Sequence, residues 1–149
     1  MQMLALLAGA LSLAGAAAAH GQTVIVSGNP GLLRISTAVA GSQPVSVSNG
    51  TTTYTVVTPL LPNRQYKLTA SLSAPMPAGV TLTASLAAPA SATSLGPVAL
   101  DATARDVVTG IRRNVTSTRA ITYTLSATVA AGVIPNSSRV VTLTIVQQP

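Results

Sequence analysis

Beyond residue 22 the apolar positions recur at every second residue, not at every third or fourth. Between residues 120 and 129, Ile121, Tyr123, Leu125, Ala127 and Val129 alternate with Thr122, Thr124, Ser126 and Thr128. Such alternation places one face of a strand on a core and the other in water. Residues 80–86 repeat the scheme, with Val80, Leu82, Ala84 and Leu86 set against Thr81, Thr83 and Ser85. So do Tyr66, Leu68, Ala70 and Leu72 against Lys67, Thr69 and Ser71. The same period predicts strands over residues 23–26, 32–39, 45–48, 52–57, 106–111 and 139–146. Pro and Gly punctuate the breaks, as in Asn29-Pro30-Gly31, Pro62-Asn63, Gly96-Pro97 and the stretch 132–136. Asn49-Gly50 suits a two-residue type I′ hairpin between the third and fourth of these strands.

Eight or nine short strands at this spacing, with no helical stripe after residue 22, predict an all-β, antiparallel two-sheet sandwich of the immunoglobulin-like kind. The chain has 149 residues. Residues 1–19 (MQMLALLAGALSLAGAAAA) read as a secretory signal, too short for a bilayer core of roughly 30 Å. Cleavage is expected after Ala19, or after Gly21. The layout is then a signal over 1–19, an N-terminal extension over 20–31 and a sandwich over 32–149. The signal sets the expected location outside the cell or at its surface, and with no later apolar run long enough to span a membrane the mature chain is expected to be soluble or assembled, not embedded.

One octapeptide recurs. Leu68-Thr69-Ala70-Ser71-Leu72-Ser73-Ala74-Pro75 returns as Leu82-Thr83-Ala84-Ser85-Leu86-Ala87-Ala88-Pro89. Two copies are too few for a solenoid, and shared strand chemistry accounts for them. The core must be built almost without large aromatics. The chain has no Phe or Trp and three tyrosines, Tyr54, Tyr66 and Tyr123, all in apolar phases of their strands.

Composition removes most catalytic chemistry. There is no Cys and no Glu, one His at position 20, and two acids, Asp101 and Asp106. A Ser–His–acid triad loses its base if His20 sits at the cleavage point. Asp101 and Asp106 could form a carboxylate pair in an exported hydrolase, but Asp106 is expected to pair with Arg105 or Arg119, or to cap a turn. Two acids are few for calcium, which takes 6–8 oxygens, and no cofactor is implied. Eight Lys and Arg against two acids give a net charge of +6. The cations are scattered and lack an aromatic platform, which argues against nucleic acid. They fit solubility, or attraction to anionic envelope polymers. Arg112-Arg113 is the densest pair, either a solvated loop or a contact for an anionic ligand. Asn49, Asn114 and Asn136 head glycosylation sequons that also read as turn chemistry.

Thr23, Val24, Ile25, Val26 and Ser27 form a β-branched segment followed by the breaker Gly28-Asn29-Pro30-Gly31. Such a strand on a short leash can pair in its own sheet, or complete a neighbour's sheet and so build a fibre. With the signal sequence, the Thr/Val/Ala-rich strands and the closing pair AITYTLSATVAAGVIPNSSRVVTLTIV, the chain resembles a bacterial fimbrial, pilin-like surface-fibre subunit. The resemblance implies a non-catalytic structural subunit that self-assembles as a homopolymer, reaching the surface through the periplasm. The alternative is a secreted carbohydrate-binding or adhesive module, in which tyrosines would stack on sugars.

Overall fold

The computed structural model describes residues 21–149. The signal-peptide reading of residues 1–19, and His20, lie outside that range. Nine strands form: β1 (Thr23–Ser27), β2 (Val47–Val57), β3 (Gln65–Leu72), β4 (Val80–Leu86), β5 (Thr93–Ser94), β6 (Val98–Ala99), β7 (Arg105–Arg112), β8 (Thr116–Ala127) and β9 (Val141–Gln147). Among the described residues the only helical element is a single 3-10 turn, Val129–Ala131. All ladders are antiparallel. One sheet has the order β1-β2-β8-β4-β6 and the other β5-β7-β3-β9.

The alternation seen in the sequence decides which side chains meet between the sheets. Tyr54 and Val56 of β2, Leu82, Ala84 and Leu86 of β4, and Ile121 and Tyr123 of β8 come from the first sheet. Tyr66, Leu68, Ala70 and Leu72 of β3, with Val107, Val108 and Ile111 of β7, come from the second. They form one buried cluster, closed by Leu100. This is the all-β, two-sheet sandwich that the period-two pattern predicts. The repeated octapeptide is split between the layers. Its first copy is β3 and its second is β4, so each sheet receives one buried Leu-Ala-Leu row.

All three tyrosines are interior. Their hydroxyls fare differently. Tyr54 Oη donates to the Ala87 carbonyl at 2.6 Å. Tyr66 Oη is buried without a hydrogen-bond partner, as is Thr52 Oγ1. An unpaired buried hydroxyl loses its hydration and recovers nothing.

Three local expectations need correction. Asn49-Gly50 is not a hairpin turn. A type I′ turn needs positive φ at both residues, and neither has it. The residues lie inside β2, where the register with β8 shifts between Asn49 and Thr52. Asn49 Oδ1 accepts from the Thr51 N–H at 2.9 Å, which stabilises this bulge. Residues 32–39 are not a strand. Leu33 and Ile35 still turn toward the protein while Leu32 and Val39 face out, but no neighbouring strand pairs with them. The backbone closes a local loop instead, with Val45 N–H donating to Thr37 O and Ser42 N–H to Val39 O. Finally, Asp106 pairs with neither Arg105 nor Arg119, as described below.

The two flanks of the sandwich are finished differently. On one flank the sheets end in β5 and β6, two residues each. There residues 87–104 weave between the layers. Leu95 N–H donates to Val107 O in the second sheet, Leu100 N–H to Leu82 O in the first, and Leu72 N–H to Asp101 O. On the other flank the sheets end in β1 and β9, which touch each other. β1 covers only Thr53–Val57 of β2, leaving Val47–Thr52 without a ladder partner on that side.

Candidate functional site

Two surfaces collect the residues singled out in the sequence. The first is the β1/β9 flank. Thr23, Val24, Ile25, Val26 and Ser27 are all in β1 and pair with Val57, Val56, Thr55, Tyr54 and Thr53 of β2. The segment therefore lies in its own fold. Val24 packs on the core. Ile25 is 58% exposed and Val26 is also exposed. β9 pairs with β3 through seven residues and offers its outer edge to solvent, with Val146 exposed. Both are free edges with unpaired backbone donors and acceptors, the kind of edge onto which another chain can add a strand.

The second surface is one end of the sandwich, where Arg112 and Arg113 lie. β3 and β7 pair with Gln65 opposite Arg112. One step beyond the ladder, this register sets Arg64 across from Arg113. With Asn63 and Gln148 these side chains line an open cleft of about 600 Å³. Sequence reasoning found Arg112 and Arg113 but missed Arg64. Only the β3–β7 register brings the three together, and its bulges near Leu68 are not visible in the sequence.

The loops bearing these arginines are braced. The β2–β3 loop (58–64) and the β7–β8 loop (113–115) both cross between sheets here. Thr58, 4% exposed, ties them. Its hydroxyl donates to Arg112 O at 2.8 Å and accepts from Val115 N–H at 2.9 Å. Its own N–H donates to Val115 O, and Asn114 N–H donates to Pro59 O. Asn63 and Asn114 both adopt φ near +55°, a left-handed conformation that Asn tolerates better than most residues. They turn the chain immediately beside Arg64 and Arg113. Nearby, Gln148 Oε1 accepts from Gly110 N–H at 2.8 Å and fixes the end of β9.

The two acids are committed elsewhere. Lys67 Nζ lies 3.0 Å from both oxygens of Asp106, bridging β3 and β7. Asp101 accepts from the Arg105 guanidinium and, at 2.7 Å, from Thr103 N–H. Those hydrogen bonds, Arg105 first, hold its carboxyl below the usual range. Asp101 and Asp106 thus face separate cations and do not form a carboxylate pair. Among the described residues the other six cations (Arg34, Arg64, Arg112, Arg113, Arg119 and Arg139) have no ion-pair partner.

Among the described residues no three His, Cys, Asp or Glu side chains gather in one place, and no helix is long and apolar enough to cross a membrane. The buried tyrosines offer no exposed ring for stacking. Comparison of the chain with protein-family models, with curated proteins and with solved structures finds no match.

Proposed function

We propose that this protein is an exported, non-catalytic structural subunit of a bacterial surface fibre or envelope layer, assembling through the β1/β9 flank. The observation that carries this reading is the contrast between flanks. Edge strands in monomers are commonly kept very short or charged. β5 and β6 follow that rule. β1 and β9 do not: across both strands there is no charged residue, and Ile25, Val26 and Val146 lie bare.

Strand exchange is the assembly step this flank favours. β1 gains five ladder positions on β2 in its own fold, and the same register is open to β1 of a neighbour. Main-chain hydrogen bonds would supply affinity, and Val24 in the core would fix register. The test is export of the chain lacking residues 22–28, followed by negative-stain imaging. Loss of filaments or heat-labile multimers is the expected result. Filaments that persist without these residues overturn donation by β1.

A further inference from the structure

The braced end of the sandwich carries two unlike features side by side. One is cationic: Arg64, Arg112 and Arg113 around the open cleft, which Pro149 also lines and to which no Asp or Glu side chain contributes. The other is apolar. Leu60 and Leu61, in the same loop as Arg64, are 68% and 46% exposed. With Val57 and Pro59 they wall a hollow of about 410 Å³.

Both features face solvent. Arg64 and Arg113 lie just past the last β3–β7 pair, Gln65–Arg112, so three like charges gather at the end of this ladder. Leu60 and Leu61 are adjacent and share one hollow, so they form a contiguous apolar patch beside the cations and not two scattered side chains. One kind of partner matches both features, a layer whose surface is anionic and whose interior is hydrocarbon. A soluble polyanion would satisfy the arginines and leave the leucines bare. An apolar protein groove would cover the leucines and leave three cations facing it.

We infer that this end docks on an anionic lipid surface. Arg64, Arg112 and Arg113 receive the headgroup phosphates, and Leu60 and Leu61 enter the boundary with the acyl chains. The guanidinium fork matches phosphate oxygens two at a time. The Thr58 brace holds both loops before contact, so little ordering is required on docking. The ends of β1 and β9 border this surface, with Gly21 lining the hollow and Gln148 the cleft, but the exposed edge residues proposed for assembly, Ile25, Val26 and Val146, line neither. The arginine and leucine variants therefore test docking, and the deletion of residues 22–28 tests assembly.

The test is co-sedimentation of the full chain with vesicles of phosphatidylcholine, alone or mixed with phosphatidylglycerol. Apolar residues 1–19 would bind both kinds alike, so the difference between them reports this end. The expected result is tighter binding to the mixed vesicles that weakens as salt rises. The triple variant Arg64→Ser/Arg112→Ser/Arg113→Ser should lose roughly a hundredfold of that preference. The equally charged control Arg34→Ser/Arg119→Ser/Arg139→Ser should keep it. Leu60→Ser/Leu61→Ser should weaken binding by roughly tenfold or more at unchanged charge. Circular dichroism and melting of each variant establish that it is folded. Two results overturn the inference. One is equal loss in both arginine triples, which would make net charge the whole effect. The other is binding to soluble polyphosphate as tight as to mixed vesicles and indifferent to the leucines, which would assign the arginines to a free polyanion.

Discussion

The two flanks of this sandwich show how one core can be finished in opposite ways. On the β5/β6 flank the chain passes between the layers several times, and buried Leu100 plugs the gap. Each edge strand is two residues long, too short to template a neighbour. On the β1/β9 flank the sheets simply stop, and the last strands expose apolar side chains. A flank woven shut contributes to the stability of the single molecule. A flank left as two plain edges contributes little to it and remains free for other chains.

The largest expected effect lies on the closed flank. Leu100→Ala should lower unfolding free energy by about 2–4 kcal/mol, the usual cost of a cavity at a fully buried leucine. Ile25→Ala on the open flank should change it by less than about 0.5 kcal/mol. Urea melts of both variants measure the difference, and equal losses would remove the distinction between flanks.

Next in size is the anchor of the woven segment. Tyr54 of β2 donates to Ala87, where that segment begins. Tyr54→Phe should cost about 1 kcal/mol, whereas Tyr66→Phe, which removes an unpaired hydroxyl, should be neutral or stabilising. Alkali tests the burial of the same phenol. Burial pushes the Tyr54 phenol up to about 12, opposed in part by the charge of Arg119, and burial raises Tyr123 as well. With the folded value above the unfolded one, this stabilisation is complete below pH 10 and is lost as pH climbs from about 10 toward 12. Phenolate absorbance followed against pH, beside a melting curve at each pH, checks it.

The smallest effect on the single molecule belongs to the open edges. Ile25→Lys with Val146→Lys should leave the monomer within about 0.5 kcal/mol of wild type and abolish multimers, because lysine on an edge opposes strand addition. Thr93→Lys on the closed flank should leave multimers intact. Size-exclusion chromatography coupled to light scattering distinguishes the two.

Much of this architecture is legible from alternation. The inward phases of β3, β4 and β8, the burial of the three tyrosines and the two-sheet class all follow from side-chain period. What escapes the pattern depends on partners. Residues 32–39 alternate like a strand, yet a strand needs a neighbour, and β1 already occupies part of the outer edge of β2. Asn49-Gly50 has the composition of a turn, but pairing with β8 continues past it and the dipeptide becomes a bulge. Asp106 takes Lys67 because the β3–β7 ladder brings that lysine alongside, whereas Arg105 turns to Asp101. At the candidate site the Arg112-Arg113 pair is visible as a charge cluster. Arg64 is 48 positions away in the chain and joins it only through register.

The near-identical octapeptides in β3 and β4 have a consequence for how the molecule forms. Both strands present the same Leu-Ala-Leu row, and what distinguishes them lies just ahead of it, where β3 buries Tyr66 and β4 has the smaller, half-buried Val80. Lys67, just before the first copy, lies against Asp106, whereas the matching position before the second copy is Thr81. This ion pair, of modest worth in the finished structure, and the buried Tyr66 ring thus mark the first copy as the one that pairs with β7.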